Sequence, residues 1–219
     1  MSKMKAVIFD MDGVIIDSEP THLRVNRNIF KRLSLKISNT EYKNFIGSTN
    51  TAMWTFFKKK YGLQQAIPEL VKTQVDETIE DLKHSNEKPI PGIVNLLKNL
   101  KRNNILIGLA SSSPLENIEL VLKIFKIKKY FNAIVSGENL KRSKPAPDIF
   151  LNAAKVLKVK PEECIVIEDS EKGVRAAKSA GMKCIGYKNK NSGNQNLSKA
   201  DLIIKNFRKI NIDDLAKLY

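Results

Sequence analysis

The stretch Lys5–Val14, Lys-Ala-Val-Ile-Phe-Asp-Met-Asp-Gly-Val, constrains this chain more than any other. Ala6 to Phe9 are apolar without alternation and, Ala6 apart, β-branched or aromatic, which predicts a strand buried on both faces. The strand runs straight into Asp10, Asp12 and Gly13. Crevices in open α/β sheets lie beyond the carboxyl ends of the strands, so a buried strand ending in charge is expected to end at a site. Asp10 and Asp12 stand at i and i+2, and in extended chain they project to the same side. Like charges that close raise each other's pKa unless a cation lies between them. The pair therefore predicts either a shared proton or a bound metal, and Gly13 allows a turn or a close approach to a ligand. On these residues alone, a strand followed by an ordinary Asp-Gly turn is an equal reading.

The chain has 219 residues and 42% hydrophobic content, enough for one large domain or for a domain carrying an insert. No apolar run approaches the roughly 20 residues of a membrane span, and the first residues lead into the strand without room for a signal peptide. Cys164 and Cys184 sit in apolar strand-like runs and read as reduced core residues, so a cytoplasmic protein without membrane association is expected. The formal net charge of +15 raises nucleic acid as a partner. The lysines, however, are spread along the whole chain, arginine is scarce, and no aromatics interleave with a basic cluster. Nucleic acid is therefore not expected, and the positive field is read as an aid to capturing a small anionic substrate.

After the first strand, Val14 to about Asn86 shows no strand pattern. Glu19–Leu33 has a helical apolar face of Leu23, Ile29, Phe30 and Leu33, opened by Ser18 as hydroxyl cap and Pro20. Met53, Trp54, Phe56, Phe57 and Tyr61 predict a second helix closed by Gly62, and Pro68–Leu82 a third. This block, residues 16–86, reads as an inserted all-helical domain, with residues 1–15 and 87–219 forming the main domain. From Pro89 onward helix and strand alternate with βαβ rhythm. Strands are expected at Ile105–Ala110, Ala133–Val135, Cys164–Ile167 and Cys184–Tyr187, with Leu202–Ile204 as a further edge strand.

The residues after each strand form a set. Strand one ends in Asp10 and Asp12, and strand two in Ser111-Ser112-Ser113. Ser143-Lys144 follows strand three, and Glu168-Asp169-Ser170 ends strand four. Parallel strands bring these groups to one edge. Singly, the serines read as a helix cap before Pro114, Lys144 as a solvated lysine, and Glu168-Asp169 as a cap for a helix near Lys172. Together they suit phosphoryl transfer, which needs an in-line nucleophile, a cation to neutralise the phosphate and donors for its spreading charge.

The motifs Phe9-Asp-Met-Asp-Gly-Val14, Ala110-Ser-Ser112, Ser143-Lys-Pro-Ala-Pro-Asp148 and Ile167-Glu-Asp-Ser170 with Gly173, in that order, resemble the haloacid dehalogenase-like superfamily, in its β-phosphoglucomutase-like branch. The resemblance covers nearly the full length. It implies a Rossmann-like α/β fold with a parallel sheet ordered 5-4-1-2-3 and a helical cap between strands one and two. Asp10 is then expected as nucleophile and Mg²⁺ ligand, and Asp12 as general acid/base with its backbone carbonyl on the metal. Ser111 and Lys144 would hold the phosphoryl oxygens, and Glu168 with Asp169 would complete the metal site. Gly13, His22, Gly47, Asn50 and Ser112 are expected at the substrate, while His84 is expected on the surface. The sequence departs from the mutase pattern at two places: Asn50 stands for a cap arginine and Pro114 for a lysine, although Lys43 or Lys58 lie near enough in the chain to replace them. The expectation is a Mg²⁺-dependent phosphatase of a small phosphorylated metabolite, most simply a sugar phosphate, acting as a monomer. β-Phosphoglucomutase is the alternative, and a phosphorylatable receiver-type switch a more distant one.

Overall fold

The computed structural model describes residues 4–219. Its centre is a sheet of six strands, all pairs parallel: β1 (Ala6–Phe9), β2 (Leu106–Ser111), β3 (Ala133–Ser136), β4 (Cys164–Glu168), β5 (Lys183–Tyr187) and β6 (Leu202–Ile204). The order is 3-2-1-4-5-6, the expected arrangement seen from the other edge with β6 added beside β5. β1 lies at the middle, pairing Phe9 with Leu109 on one side and with Ile167 on the other. Every side chain of β1 is buried, because helices cover both faces.

The period-two alternation of the strands divides the core in two. Val7 and Phe9 face a cluster with Leu96, Leu97 and Leu100 of α5 (Ile93–Arg102) and Ile118, Val121 and Leu122 of α6 (Leu115–Ile124). Ala6 and Ile8 face Phe150, Ala153 and Ala154 of α7 (Asp148–Leu157) and Val174, Ala176 and Ala177 of α8 (Glu171–Ser179). The small alanines let these two helices sit close on the sheet.

Four helices follow β1: α1 (Glu19–Arg32), α2 (Asn39–Lys43), α3 (Asn50–Tyr61) and α4 (Ile67–His84). They pack around a separate apolar cluster of Val25, Ile29, Phe30, Tyr42, Met53, Trp54, Phe57 and Leu70. Phe30 is its hinge, edge-on to Trp54 at 5.7 Å and to Phe57 at 5.4 Å between ring centroids. Phe56, expected on this face, is instead 45% exposed and leans on Phe45 at the rim. The reason is helical spacing: with Met53, Trp54 and Phe57 inward, the position between Trp54 and Phe57 points outward. Leu82 at the end of α4 joins the core cluster. The two chain crossings run side by side, with Ile16 bridged to Pro89 and the Ile90 N–H donating to the Ile15 carbonyl at 2.9 Å.

No helix among the described residues is long and apolar enough to cross a membrane. Cys164 and Cys184 are buried free thiols, and burial raises both.

Candidate active site

Asp10 leaves the end of the central strand and is buried, as are Glu168 and Asp169 at the end of its neighbour β4. Lys144, from the loop after β3, closes the group. Its Nζ donates to Asp10 Oδ1 at 2.9 Å and to Glu168 Oε1 at 2.6 Å. Burial alone would discharge this ammonium, but the charges of Asp10 and Glu168 outweigh it and hold it protonated. Glu168 is anchored from behind: its Oε2 accepts from the Asp169 and Ser170 N–H groups and from Ser170 Oγ, each at 2.9 Å. Ser170 also caps α8, accepting from the Gly173 N–H at 3.1 Å, so the helix starts just before the expected Lys172. Gly173 is dictated by this turn, because a Cβ there would stand 1.7 Å from Glu168 Oε1. Gly13, at φ +76°, is dictated in the same way: its Cβ would fall 1.9 Å from Asp169 Oδ2.

Asp10, Glu168 and Asp169 each offer an oxygen, all within 4.8 Å of one another. Burial pushes Asp10 and Asp169 far above the usual carboxylate range, and neighbouring carboxylates add to it. Lys144 relieves only part of this repulsion. Three buried oxygen donors with excess negative charge and no soft ligand fit a hard divalent cation such as Mg²⁺.

The Asp12 side chain faces the opposite way. Its Oδ1 accepts from Ser18 Oγ at 2.5 Å and lies 3.2 Å from His22 Nε2. Its Oδ2 accepts from Ser113 Oγ at 2.6 Å and Ser111 Oγ at 3.2 Å. Recess in the cavity raises this carboxyl, but His22, Ser113 and Ser18 together outweigh that and hold it well below the usual range. For His22 burial lowers the imidazole, and the hydrogen bond and charge of Asp12 reverse the sign.

Between core and cap lies a cavity of about 70 Å³. Asp10, Asp12, Gly13 and Ser112 reach it from below, and His22, Gly47 and Asn50 from the cap. Ser111, Lys144 and Glu168 sit behind its wall, held by the bonds given above. No lysine or arginine among the described residues lines it. Lys58 is used elsewhere, donating to the carbonyls of Leu63, Gln64 and Gln65, and Lys43 is exposed outside it. Pro114 opens α6. His84 is exposed, 2.8 Å from Glu80.

Several residues at the site carried no signal of their own in the sequence. Ser18 does not cap α1; its hydroxyl is spent on Asp12. The polar loop after β5 sends Ser192 Oγ to Asp169 Oδ2 and Asn189 Nδ2 to the Gly13 carbonyl at 3.0 Å. Glu19, Asn26, Tyr42 and Gln74 complete the cap wall. A hydroxyl cap, a polar loop and amides on helices have common structural explanations, and only the fold brings them to one place.

Residues 7–187 match the family of haloacid dehalogenase-like hydrolases. The chain is 36% identical to β-phosphoglucomutase of Bacillus subtilis (strain 168), over 92% of this chain and 89% of that protein. It is 34% identical to hexitol phosphatase B of Escherichia coli (strain K12), over 82% of each. The structure of β-phosphoglucomutase from Clostridium difficile superposes with a TM-score of 0.87 at 30% identity, covering 99% of this chain and 97% of that one. The chain belongs to the haloacid dehalogenase-like hydrolase family. It is an enzyme of the phosphoryl-transfer type.

Proposed function

We propose that this enzyme is a Mg²⁺-dependent phosphatase of small phosphorylated metabolites, sugar or polyol phosphates, working through an aspartyl-phosphate on Asp10. The observation that carries the reading is the contrast of charge across the cavity: cation-seeking carboxylates and Lys144 on the core side, and no lysine or arginine among the described residues on any wall. One phosphate has a place there, and a second has no counter-charge.

In the first step an Asp10 carboxylate oxygen attacks phosphorus in line, the ester P–O bond breaks, and the leaving alkoxide takes a proton through Asp12, drawn from the His22 imidazolium hydrogen-bonded to it. In the second step water attacks the same phosphorus, the P–O bond to Asp10 breaks, and Asp12 takes the water's proton and returns it to His22. Phosphate and an alcohol are released, and both carboxyls return to their starting states. Asp12 is held for this role by Ser18, His22, Ser111 and Ser113, which fix both its oxygens. Lys144 stays on Asp10 and offsets charge as it moves. Asp10 and Asp169, with Glu168 behind them and the Asp12 backbone carbonyl, would hold Mg²⁺, which when bound neutralises phosphoryl charge. The cavity takes a few waters and not a sugar phosphate, so residues 16–86 act as a cap that moves to admit substrate. The buried free thiols suit a reducing, cytoplasmic setting.

The B. subtilis relative favours a second reading, β-phosphoglucomutase. The two differ in what accepts the phosphoryl group from Asp10, water or a sugar hydroxyl. Supplying β-glucose 1-phosphate, glucose 1,6-bisphosphate and Mg²⁺ separates them: inorganic phosphate, or no turnover of this sugar, is expected here. Glucose 6-phosphate formed efficiently with negligible phosphate release would replace the phosphatase reading with the mutase.

A further inference from the structure

The reaction above leaves one polar cluster of the cap unused. Glu19 and Asn26 lie seven residues apart on α1, two turns along one face. Tyr42 of α2 joins them: its hydroxyl accepts from Asn26 Nδ2 at 3.2 Å, and Glu19 lines the same wall. All three line the cavity. Asn26 is 1% exposed, yet its Oδ1 has no hydrogen-bond partner. Turning the amide over leaves the other atom unpaired instead, because Tyr42 serves only one of them. A buried amide with one of its two polar atoms unpaired costs stability that an apolar residue on this face would not, so its presence calls for a ligand. Gln74 adds a donor to the same wall. Its Oε1 is taken by the Trp54 indole N–H at 2.7 Å, which leaves its NH₂ group for a ligand.

We infer that Glu19, Asn26, Tyr42 and Gln74 form a hydroxyl-reading subsite that receives the uncharged, hydroxyl-bearing end of a sugar or polyol monophosphate. This rests on the phosphatase reading and names the substrate class for it. The chemistry is complementary: a hydroxyl donates to Asn26 Oδ1 or to the Glu19 carboxylate and accepts from Gln74. Burial lifts the Glu19 carboxyl to about 7, with the His22 charge opposing and Asp12 adding to it, so this wall holds little charge of its own and none that is positive apart from His22. A second phosphate would meet two acceptors and no lysine or arginine. The subsite selects by hydrogen bonds that an alkyl group cannot make and by refusing a distal anion.

The test measures kcat/KM by phosphate release, with the full chain in Mg²⁺, for sorbitol 6-phosphate, hexyl phosphate and fructose 1,6-bisphosphate. Sorbitol 6-phosphate is expected to exceed each of the others by at least about tenfold, the worth of one or two well-made hydrogen bonds. Asn26→Leu and Tyr42→Phe are each expected to lower the sorbitol-to-hexyl ratio by about tenfold. Tyr42→Phe removes one oxygen and keeps the ring in the cap cluster, so it stands as the test if Asn26→Leu does not fold. Equal values for the sorbitol and hexyl esters, or a ratio unmoved in Tyr42→Phe, overturns the subsite and leaves the phosphatase reading in place. Release from none of the three by the wild type overturns the phosphatase reading, and the subsite with it.

Discussion

The two walls of the cavity are built on different physical terms. On and just behind the core wall, four charged groups are buried together, with Lys144 bonded to Asp10 and Glu168 and the backbone of Asp169 and Ser170 anchoring Glu168. On the cap wall stand amides, hydroxyls and a partly discharged carboxyl, with His22 and Ser18 reaching across to Asp12. Under the proposed function the core wall matches what all phosphate monoesters share and the cap wall what distinguishes them, with charge concentrated where the phosphoryl group would react and selection left to weaker, directional bonds. This division predicts that core-wall changes abolish turnover of every substrate, whereas cap-wall changes reorder substrates.

The largest effect is expected at Asp10. Asp10→Asn removes the attacking oxygen's charge and should lower turnover of all substrates by at least about a thousandfold. Mass spectrometry of an acid-quenched reaction should show the wild type carrying a phosphoryl group on this residue and the variant carrying none. Near-normal turnover in a variant shown to be free of deamidation removes the nucleophile assignment and, with it, the comparison of the walls.

Next in size is Lys144→Met. Among the described residues the ammonium is the one cation bonded to both Asp10 and Glu168, and all three side chains are buried. Its loss leaves buried carboxylates without a counter-charge, a change that costs about 3–5 kcal/mol when a buried pair is broken. Urea denaturation without Mg²⁺ should show it, and adding Mg²⁺ should restore part of the loss by taking up the same charge. A variant as stable as the wild type in chelator means the carboxylates are protonated and the core wall is not a charged one.

A change on the cap wall should act through specificity. Asn50 opens α3 and reaches the cavity. Asn50→Arg places a cation on a wall that has no lysine or arginine and should tighten binding of a bisphosphate by about ten- to a hundredfold, the worth of one charge-assisted hydrogen bond. The KM for fructose 1,6-bisphosphate reads it directly. If the bisphosphate already binds the wild type tightly and the arginine adds nothing, the cap wall is not the neutral surface described here.

How far this was legible in the sequence follows from the same contrast. The core wall was readable because its carboxylates and Ser111 end strands or directly follow them, and parallel strands bring their ends together by topology alone, while Lys144 comes from the loop after β3. Asp10, Ser111, Glu168 and Asp169 needed only strand positions to be placed. The cap wall was not readable because helices meet it at angles set by packing. Asn26 sits on the buried face of α1 between Val25 and Ile29, where a polar residue breaks an amphipathic pattern without saying why. α2 has five residues and buries only Tyr42, too little for a period to show. Ser192 and Asn189 lie in a loop whose path across Gly13 and Asp169 is a tertiary fact.

The smallest effect concerns Ser18, where sequence and structure give opposite expectations. As a hydroxyl cap, Ser18 would stabilise α1, and Ser18→Ala would cost about 1 kcal/mol of folding stability. In the structure the side chain makes no cap bond, the backbone at this position is already helical, and Oγ donates to Asp12 Oδ1 at 2.5 Å. Asp12 keeps Ser111, Ser113 and His22 after the substitution, so no buried charge is left bare. Stability should therefore fall by about 1 kcal/mol or less, the worth of one hydrogen bond to a carboxylate that keeps its other donors, so activity is the readout that separates the two roles. Activity should fall by roughly two- to tenfold, since one of the bonds fixing the acid/base is lost. The loss should be of the same size for sorbitol 6-phosphate and for hexyl phosphate, because the role proposed for Asp12 is the same for every substrate. A melting curve and two kcat/KM values decide it. A drop in stability with activity intact returns Ser18 to the helix, and a loss confined to one substrate moves it from the core wall's chemistry to the cap wall's selection.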